Sequence, residues 1–325
     1  MLLHCAAILV GLVLLVWSAD RFIAGAAALA RLLGVAPLVI GLTIVALGTS
    51  APEIFVSALS AVQGQPGLAI GNAVGSNITN VGLILGITAM VRPLDVRSRI
   101  IRRELPIVAA ISLLAIALVF DGTLDLVDGV ILLTGLCALL IWLYHTATSP
   151  AAGDTLATTI VEEMPDEQMS RSAAIGWTAA GLVLLAGSAQ VLIWGAVGVA
   201  EAFGVSDLVI GLTIVALGTS LPELAASLAG ALKGEHDLAI GNVLGSNMFN
   251  LLVVLPLPGL LAPGPVPEGL LGRDMVAMLA FTLALFVLGA GIAGRAGRIN
   301  RFEGAALVVG FLVYELILWR STLPA

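Results

Sequence analysis

The sequence predicts an all-α membrane protein: ten transmembrane helices arranged as two inverted five-helix repeats. Three observations carry this. Of 325 residues, 59% are hydrophobic and only 11% charged, against about 25% charged in soluble domains. Ten apolar runs follow one another, most of them near the roughly 20 residues a bilayer crossing needs. Two motif-bearing stretches recur almost unchanged at an offset of 170 residues. The shortage of charge excludes an ordinary soluble enzyme, and the hydrophobicity excludes disorder. A net charge of −7, with no basic stripe interleaved with aromatics, argues against a nucleic-acid partner. Cys5 and Cys137 both fall in apolar runs and support neither a disulfide framework nor a metal cluster.

The expected spans are roughly 5–27, 35–62, 67–91, 104–120, 125–145, 172–200, 205–232, 237–261, 273–293 and 302–320. The first is read as a retained helix. No basic residue precedes it, and Trp17 spoils a small-residue cleavage site. Residues 146–171 carry Ser, Thr, Pro and the acids Asp154, Glu162, Glu163, Asp166 and Glu167, which suits a solvated linker. These acids lack the spacing and turn glycine of an EF-hand loop. The chain therefore divides into a first five-helix repeat (1–145), a cytoplasmic linker (146–171) and a second, inverted repeat (172–325). In a ten-span topology Arg31, Arg92, Arg97, Arg99, Arg102, Arg103, Arg171, Lys233, Arg295, Arg298 and Arg301 share one side, and Arg273 and Arg320 the other. That bias puts the basic side in the cytoplasm and both termini outside.

The repeat directs attention to particular residues. Residues 38–53 read LVIGLTIVALGTSAPE and residues 208–223 read LVIGLTIVALGTSLPE, fifteen of sixteen positions matching. LAIGNAVGSN at 68–77 meets LAIGNVLGSN at 238–247 at eight of ten positions, Asn80 meets Asn250, and GLVLL at 11–15 recurs at 181–185. Five spans per copy is odd, so the second copy enters the membrane inverted, as in many secondary transporters. The other helices have diverged while these stretches have not, which suggests a shared chemical task.

Each copy places one carboxylate inside an apolar helix: Glu53 and Glu223. A charge at that depth costs at least about 2.5–3.5 kcal/mol on insertion scales. The sequence puts no Lys or Arg at comparable depth, so the expected counter-charge is a bound cation or a proton. Pro52 and Pro222 lack an N–H, so the carbonyls of Gly48 and Gly218 are expected to lose their helical donors. Thr49, Ser50, Thr219 and Ser220 add hydroxyls one turn before each Glu. Carboxylate, hydroxyl and carbonyl oxygens, without sulfur or imidazole, suit hard cations such as Ca²⁺ and Na⁺. Ser76 and Asn80 share a helix face, as do Ser246 and Asn250. Gly71, Gly75, Gly241 and Gly245 permit close helix approach. Asn72, Asn77, Asn242 and Asn247 are assigned to interhelical hydrogen bonds. Asp20, where the second copy has Gln190, and Glu315 are read as local contacts near helix ends.

At these residues the sequence resembles the cation/calcium exchanger superfamily, the sodium/calcium exchangers and their bacterial relatives. The G-[TS]-S-x-P-E and G-S-N-x-x-N segments are similar to that family's two alpha repeats, in matching order and spacing over nearly the whole chain. The resemblance implies a core of the second, third, seventh and eighth helices holding the ion sites, with the first and sixth sliding across it. It implies a calcium site of Glu53, Glu223, Thr49 and Thr219. It implies flanking sodium sites from Ser50, Ser220, Ser76, Ser246 and the carbonyls of Ala46 and Ala216, with Asn80 and Asn250 at the centre. Some relatives, including potassium-dependent ones, carry Asp at the position of Asn250.

The function expected is a Na⁺/Ca²⁺ antiporter working by alternating access in a prokaryotic inner membrane. A Ca²⁺/H⁺ antiporter and a potassium-dependent exchanger are the alternatives. Proton-coupled relatives place an acid directly after a G-N-A start, and residues 71–77, GNAVGSN, have none. A channel would need a continuous pore, and an intramembrane protease would need acids in a motif these do not resemble. The expected partners are the transported cations and the bilayer, with the chain acting as a monomer, no cofactor and no enzymatic activity.

Overall fold

The computed structural model describes residues 1–34, 50–96, 103–148, 169–289 and 297–322. Ala46, Gly48, Thr49, Arg97, Arg99, Arg102, Arg295 and most of the 146–171 linker lie outside the described residues. Helix α1 (Leu2–Leu32) is a 31-residue apolar run. Helices α2 (Ala51–Val62) and α3 (Pro66–Val91) each open with a proline in the first turn, where its missing N–H costs nothing. After α4 (Leu105–Leu118), Gly122 turns the chain at φ 85° into α5 (Leu126–Thr148).

The second half begins with α6 (Arg171–Phe203), whose first turn is capped by the Ser170 hydroxyl accepting from the Ala173 N–H. A bent pair follows, α7 (Asp207–Thr219) and α8 (Leu221–Lys233), then α9 (His236–Leu261) and α10 (Leu270–Gly289). The last helix, α11 (Arg301–Arg320), starts on a capping box between Asn300 and Glu303.

Seven helices are long and apolar enough to cross a membrane, and the α7–α8 pair brings the number to eight among the described residues. The sequence reading expected ten. Its second span, 35–62, is described only over residues 50–62, and its fourth, preceded by residues outside the description, is the shorter apolar helical run Leu105–Asp121.

Two small ribbons, absent from the sequence reading, mark the ends of the bundle. At one end β1 (Leu94–Val96) pairs antiparallel with β4 (Gly297–Ile299). Arg92 Nη1 donates to the Leu232 carbonyl at 2.6 Å, and the Asp95 N–H donates to His236 Nδ1 at 3.1 Å. Arg298 lies 3.4 Å from Asp95. This is the end where Arg92, Lys233 and Arg298 gather. At the other end β2 (Thr123–Leu124) pairs with β3 (Gly264–Pro265), beside Asp121, Asp125 and Asp128.

Helices α1 and α6 cross through glycines, and their contacts are reciprocal. A β-carbon at Gly11 would meet the Leu192 backbone at 2.8 Å, and one at Gly181 would meet Phe22 at 2.7 Å. Gly25 faces Thr178, and Gly195 faces His4 and Ile8. Ser18 and Ser188 touch at 3.4 Å between hydroxyl oxygens. Position i meets j+170, and i+170 meets j. Numbers rise along α1 as they fall along α6, so the two equivalent helices run antiparallel.

The deepest layer is α3 and α9, buried over Gly67–Thr79 and Ala239–Phe249. Glycine permits the closest approach here: a β-carbon at Gly71 would lie 2.5 Å from the Leu208 carbonyl oxygen, and one at Gly211 would lie 2.5 Å from that of Leu68. Gly71→Val must therefore push α3 and α7 apart. An overpacking cost of about 1–3 kcal/mol or more is expected, read as a lowered thermal midpoint in detergent. An unchanged midpoint would show that the crossing has slack.

Candidate functional site

The site starts from two equivalent breaks. Ser50 sits at φ −87°, ψ 10° immediately before α2, and Ser220 at φ −85°, ψ 7° between α7 and α8. The second break bends the chain by 44°. Each is followed by the Leu/Ala-Pro-Glu step, which puts Glu53 and Glu223 in the first turns of α2 and α8. Helix N-termini favour carboxylates. The Gly218 carbonyl was expected to lose its donor to Pro222. At the sharp turn another backbone N–H reaches it instead. The Ala216 carbonyl accepts from the Ser220 N–H at 3.1 Å.

Both glutamates are buried, 1% exposed each. Their backbones are held by one device used twice. Asn72 Nδ2 donates to the Glu53 carbonyl at 3.2 Å and to Ser57 Oγ at 3.0 Å. Asn242 Nδ2 donates to the Glu223 carbonyl at 3.1 Å and to Ser227 Oγ at 3.1 Å. Ser57 and Ser227 in turn donate to the Ala69 and Ala239 carbonyls, both at 3.3 Å. The asparagines are thus interhelical, as the sequence suggested. Ser57 and Ser227 were missed. The signal was present: both lie four residues after Glu, hence on its face, and at the repeat offset.

Across the centre, Asn77 Nδ2 donates to the Asn247 carbonyl at 3.2 Å and Asn247 Nδ2 to the Asn77 carbonyl at 3.5 Å. Asn80 Nδ2 donates to Asn247 Oδ1 at 3.0 Å. Wide helical turns begin at Asn80 and at Asn250, the latter closed by the Leu255 N–H donating to the Asn250 carbonyl at 2.8 Å. Such turns often occur at functional sites.

The structure brings Glu53, Glu223, Thr219 and Ser246 together. Glu53 reaches the Thr219 hydroxyl and lies close enough to Glu223 for their charges to interact. Thr219 Oγ1 is 3.1 Å from Asn72 Oδ1, and Ser246 Oγ donates to Glu223 Oε1 at 3.3 Å. Ser50 Oγ, Glu53 Oε2, Ser76 Oγ, Asn80 Oδ1, Ser220 Oγ and Asn250 Oδ1 are buried with no hydrogen-bond partner among the described residues. Asn77 Oδ1 and Thr79 Oγ1, not expected from the sequence, share that condition. Each orphaned buried oxygen costs about 1–3 kcal/mol. A cluster of them at expected ligand positions fits a cation that would satisfy several at once. The buried oxygens gathered here are carboxylate, hydroxyl and amide oxygens, donor types that suit hard cations.

Oxygen donors gathered at breaks in membrane helices define a cation-transporting membrane protein. The chain belongs to the sodium/calcium exchanger protein family, whose sequence pattern matches residues 3–145 and 173–320. It is 47% identical over 321 residues to the candidate antiporter CaxA of Alkalimonas amylolytica, covering 99% of this chain and 100% of that protein. It is 30% identical to the sodium/calcium exchanger MaX1 of Methanosarcina acetivorans, over 96% of this chain and 97% of that one. Its structure is similar to that of the sodium-calcium exchanger NCX_Mj, with a TM-score of 0.61 and 30% identity over 96% and 97% of the two chains. The protein is an integral membrane transporter of a cation/Ca²⁺ antiport family, not of an enzyme family.

The paired amide devices yield a direct expectation. Asn72→Ala and Asn242→Ala each leave a buried Glu carbonyl and a Ser hydroxyl short of a donor. Each is expected to cost about 1–3 kcal/mol, read as a lowered thermal midpoint of similar size in the two variants. A large effect from one and none from the other would show that the two devices are not equivalent.

Proposed function

We propose that the chain exchanges Na⁺ for Ca²⁺ by alternating access around Glu53 and Glu223. The observation that carries this is the set of orphaned buried oxygens on Ser50, Glu53, Ser76, Asn80, Ser220 and Asn250. Ca²⁺ takes Glu53, Glu223, Thr49 and Thr219. Na⁺ takes flanking positions made by Ser50, Ser76, Ser220, Ser246 and the carbonyls of Ala46 and Ala216, with Asn80 and Asn250 between them. The ions share oxygens, so they compete, and that competition couples their fluxes. Two carboxylates give a formal charge of −2, which one Ca²⁺ neutralises. Asn rather than Asp at positions 80 and 250 speaks against a further potassium site.

The architecture is ten spans in two inverted halves, 1–145 and 172–325, joined by a cytoplasmic linker. The antiparallel, reciprocal contacts of α1 and α6 support the inversion, because a two-fold axis relating antiparallel helices lies across them. The gathering of Arg92, Lys233 and Arg298 at one end supports a cytoplasmic β1–β4 end, with both termini outside. The chain acts as a monomer in a prokaryotic inner membrane.

Purified protein in vesicles loaded with Na⁺ should accumulate Ca²⁺ from a Na⁺-free medium. Uptake that ignored Na⁺ and followed a pH gradient would establish proton coupling instead. Glu53→Ala should cut uptake roughly 100-fold or more, in line with the about 3–5 kcal/mol lost when a buried charge loses its partner, while the protein still inserts. With three Na⁺ leaving per Ca²⁺, an inside-positive potential should raise the equilibrium Ca²⁺ ratio about 50-fold per 100 mV. No response to potential would point to a two-for-one exchange.

A further inference from the structure

The two halves are alike in the core but not in what covers it. On α2, Ala51 is 4% exposed, Val56 is buried, and Phe55 and Leu59 are half-buried. Ala51 and Val56 belong to one apolar cluster with Leu185, Leu192 and Ala196 of α6. On α8 the equivalent positions are open: Leu221 is 48% exposed, and Ala225 and Ala229 are exposed. Helix α6 thus covers α2 at the acidic end, while α1 leaves α8 uncovered at the basic end. The covered side is fastened. Gln63, just past the end of α2, donates through Nε2 to Gln190 Oε1 of α6.

The repeat offset turns this contact into a statement about the other side. Gln63 corresponds to Lys233 and Gln190 to Asp20. Where one half has two amides, the other has opposite charges. Asp20 is exposed here, 66% of its side chain, and its one ion-pair partner among the described residues is its neighbour Arg21, 3.4 Å away. Lys233, the chain's one lysine, forms no ion pair among the described residues. An acid so far along an apolar helix is costly unless it meets water or a cation.

We propose that Asp20 and Lys233 are positioning residues of the exchange cycle: they form the ion pair that fastens α1 onto α8 when the basic end closes and the acidic end opens. The state seen here, with Gln63 on Gln190, and the opposite state, with Asp20 on Lys233, exclude each other. This rests on the inverted-repeat, alternating-access reading above, but not on which ions are carried.

The test uses full-length protein with Cys5 and Cys137, both exposed, replaced by serine. Gln63→Cys with Gln190→Cys should form a disulfide, as should Asp20→Cys with Lys233→Cys. In a chain carrying all four changes, each molecule should form one bond or the other. Under the ion condition in which the Gln63→Cys, Gln190→Cys bond forms slowest, so that the opposite state prevails, adding Asp20→Asn should raise its initial cross-linking rate by about 1.4- to fivefold, the range expected of an exposed ion pair. The exchange Asp20→Lys with Lys233→Asp should restore the original rate, which a merely structural role would not do. Both disulfides in one molecule, no Asp20→Cys, Lys233→Cys bond under any ion condition, or an unmoved rate in Asp20→Asn would each overturn the inference. Mutually exclusive bonds in a protein that moves no Na⁺ or Ca²⁺ would support this inference while refuting the assigned cargo.

Discussion

The structure depends on keeping two carboxylates, Glu53 and Glu223, buried beside each other. Charge interaction between Glu53 and Glu223 opposes the arrangement, and burial makes it worse. The chain answers by anchoring backbones and leaving side-chain oxygens uncommitted. Asn72 and Asn242 hold the glutamate carbonyls, and Ser57 and Ser227 brace the asparagines. Glu53 Oε2 and the oxygens of Ser50, Ser76, Asn80, Ser220 and Asn250 stay buried without a hydrogen-bond partner among the described residues. The close crossings follow from this demand, since short amide bonds between helices require the backbones to approach. At Gly71 and Gly211 they come near enough to exclude any β-carbon.

Much of this was legible in the chain because the offset of 170 marks equivalent residues twice. The carboxylates, the interhelical asparagines and the serine and asparagine faces of α3 and α9 could all be found that way. Ser57 and Ser227 obey the same rule and were overlooked because serine four residues after an acid is unremarkable alone. The wide turns at Asn80 and Asn250 were not legible. Pro256 follows the second, but Gly86 stands at the equivalent position after the first, so no common residue signals them. The two ribbons were hidden for another reason. Their strands have two or three residues, too short for any alternation to show. The fourth expected span, 104–120, coincides with the apolar helical run Leu105–Asp121.

Symmetry in the core and asymmetry around it are two parts of one design. The amide devices agree to within about 0.1 Å between halves, so the backbones of Glu53 and Glu223 are held alike. The covers do differ. A rigid, duplicated core with an exchangeable cover is what a pseudo-two-fold chain needs in order to present the same oxygens to either side of a membrane.

The sequence difference between the covered faces sets the energetic balance of that exchange. Helix α6 lies over Ala51, Phe55, Val56 and Leu59, whereas α1 would lie over Leu221, Ala225, Ala226 and Ala229. Covering the second face brings fewer large apolar side chains against the covering helix. Within a membrane such a contact gains close packing and dispersion rather than removal from water. Packing of the cover alone therefore favours the arrangement seen here. A cycle needs its two states within a few kcal/mol of each other. The remaining free energy has to come from the ions, through binding that differs between the two covers. On the proposed cycle, Phe55, Val56 and Leu59 favour the cover seen here, and ion binding supplies the free energy of changing it.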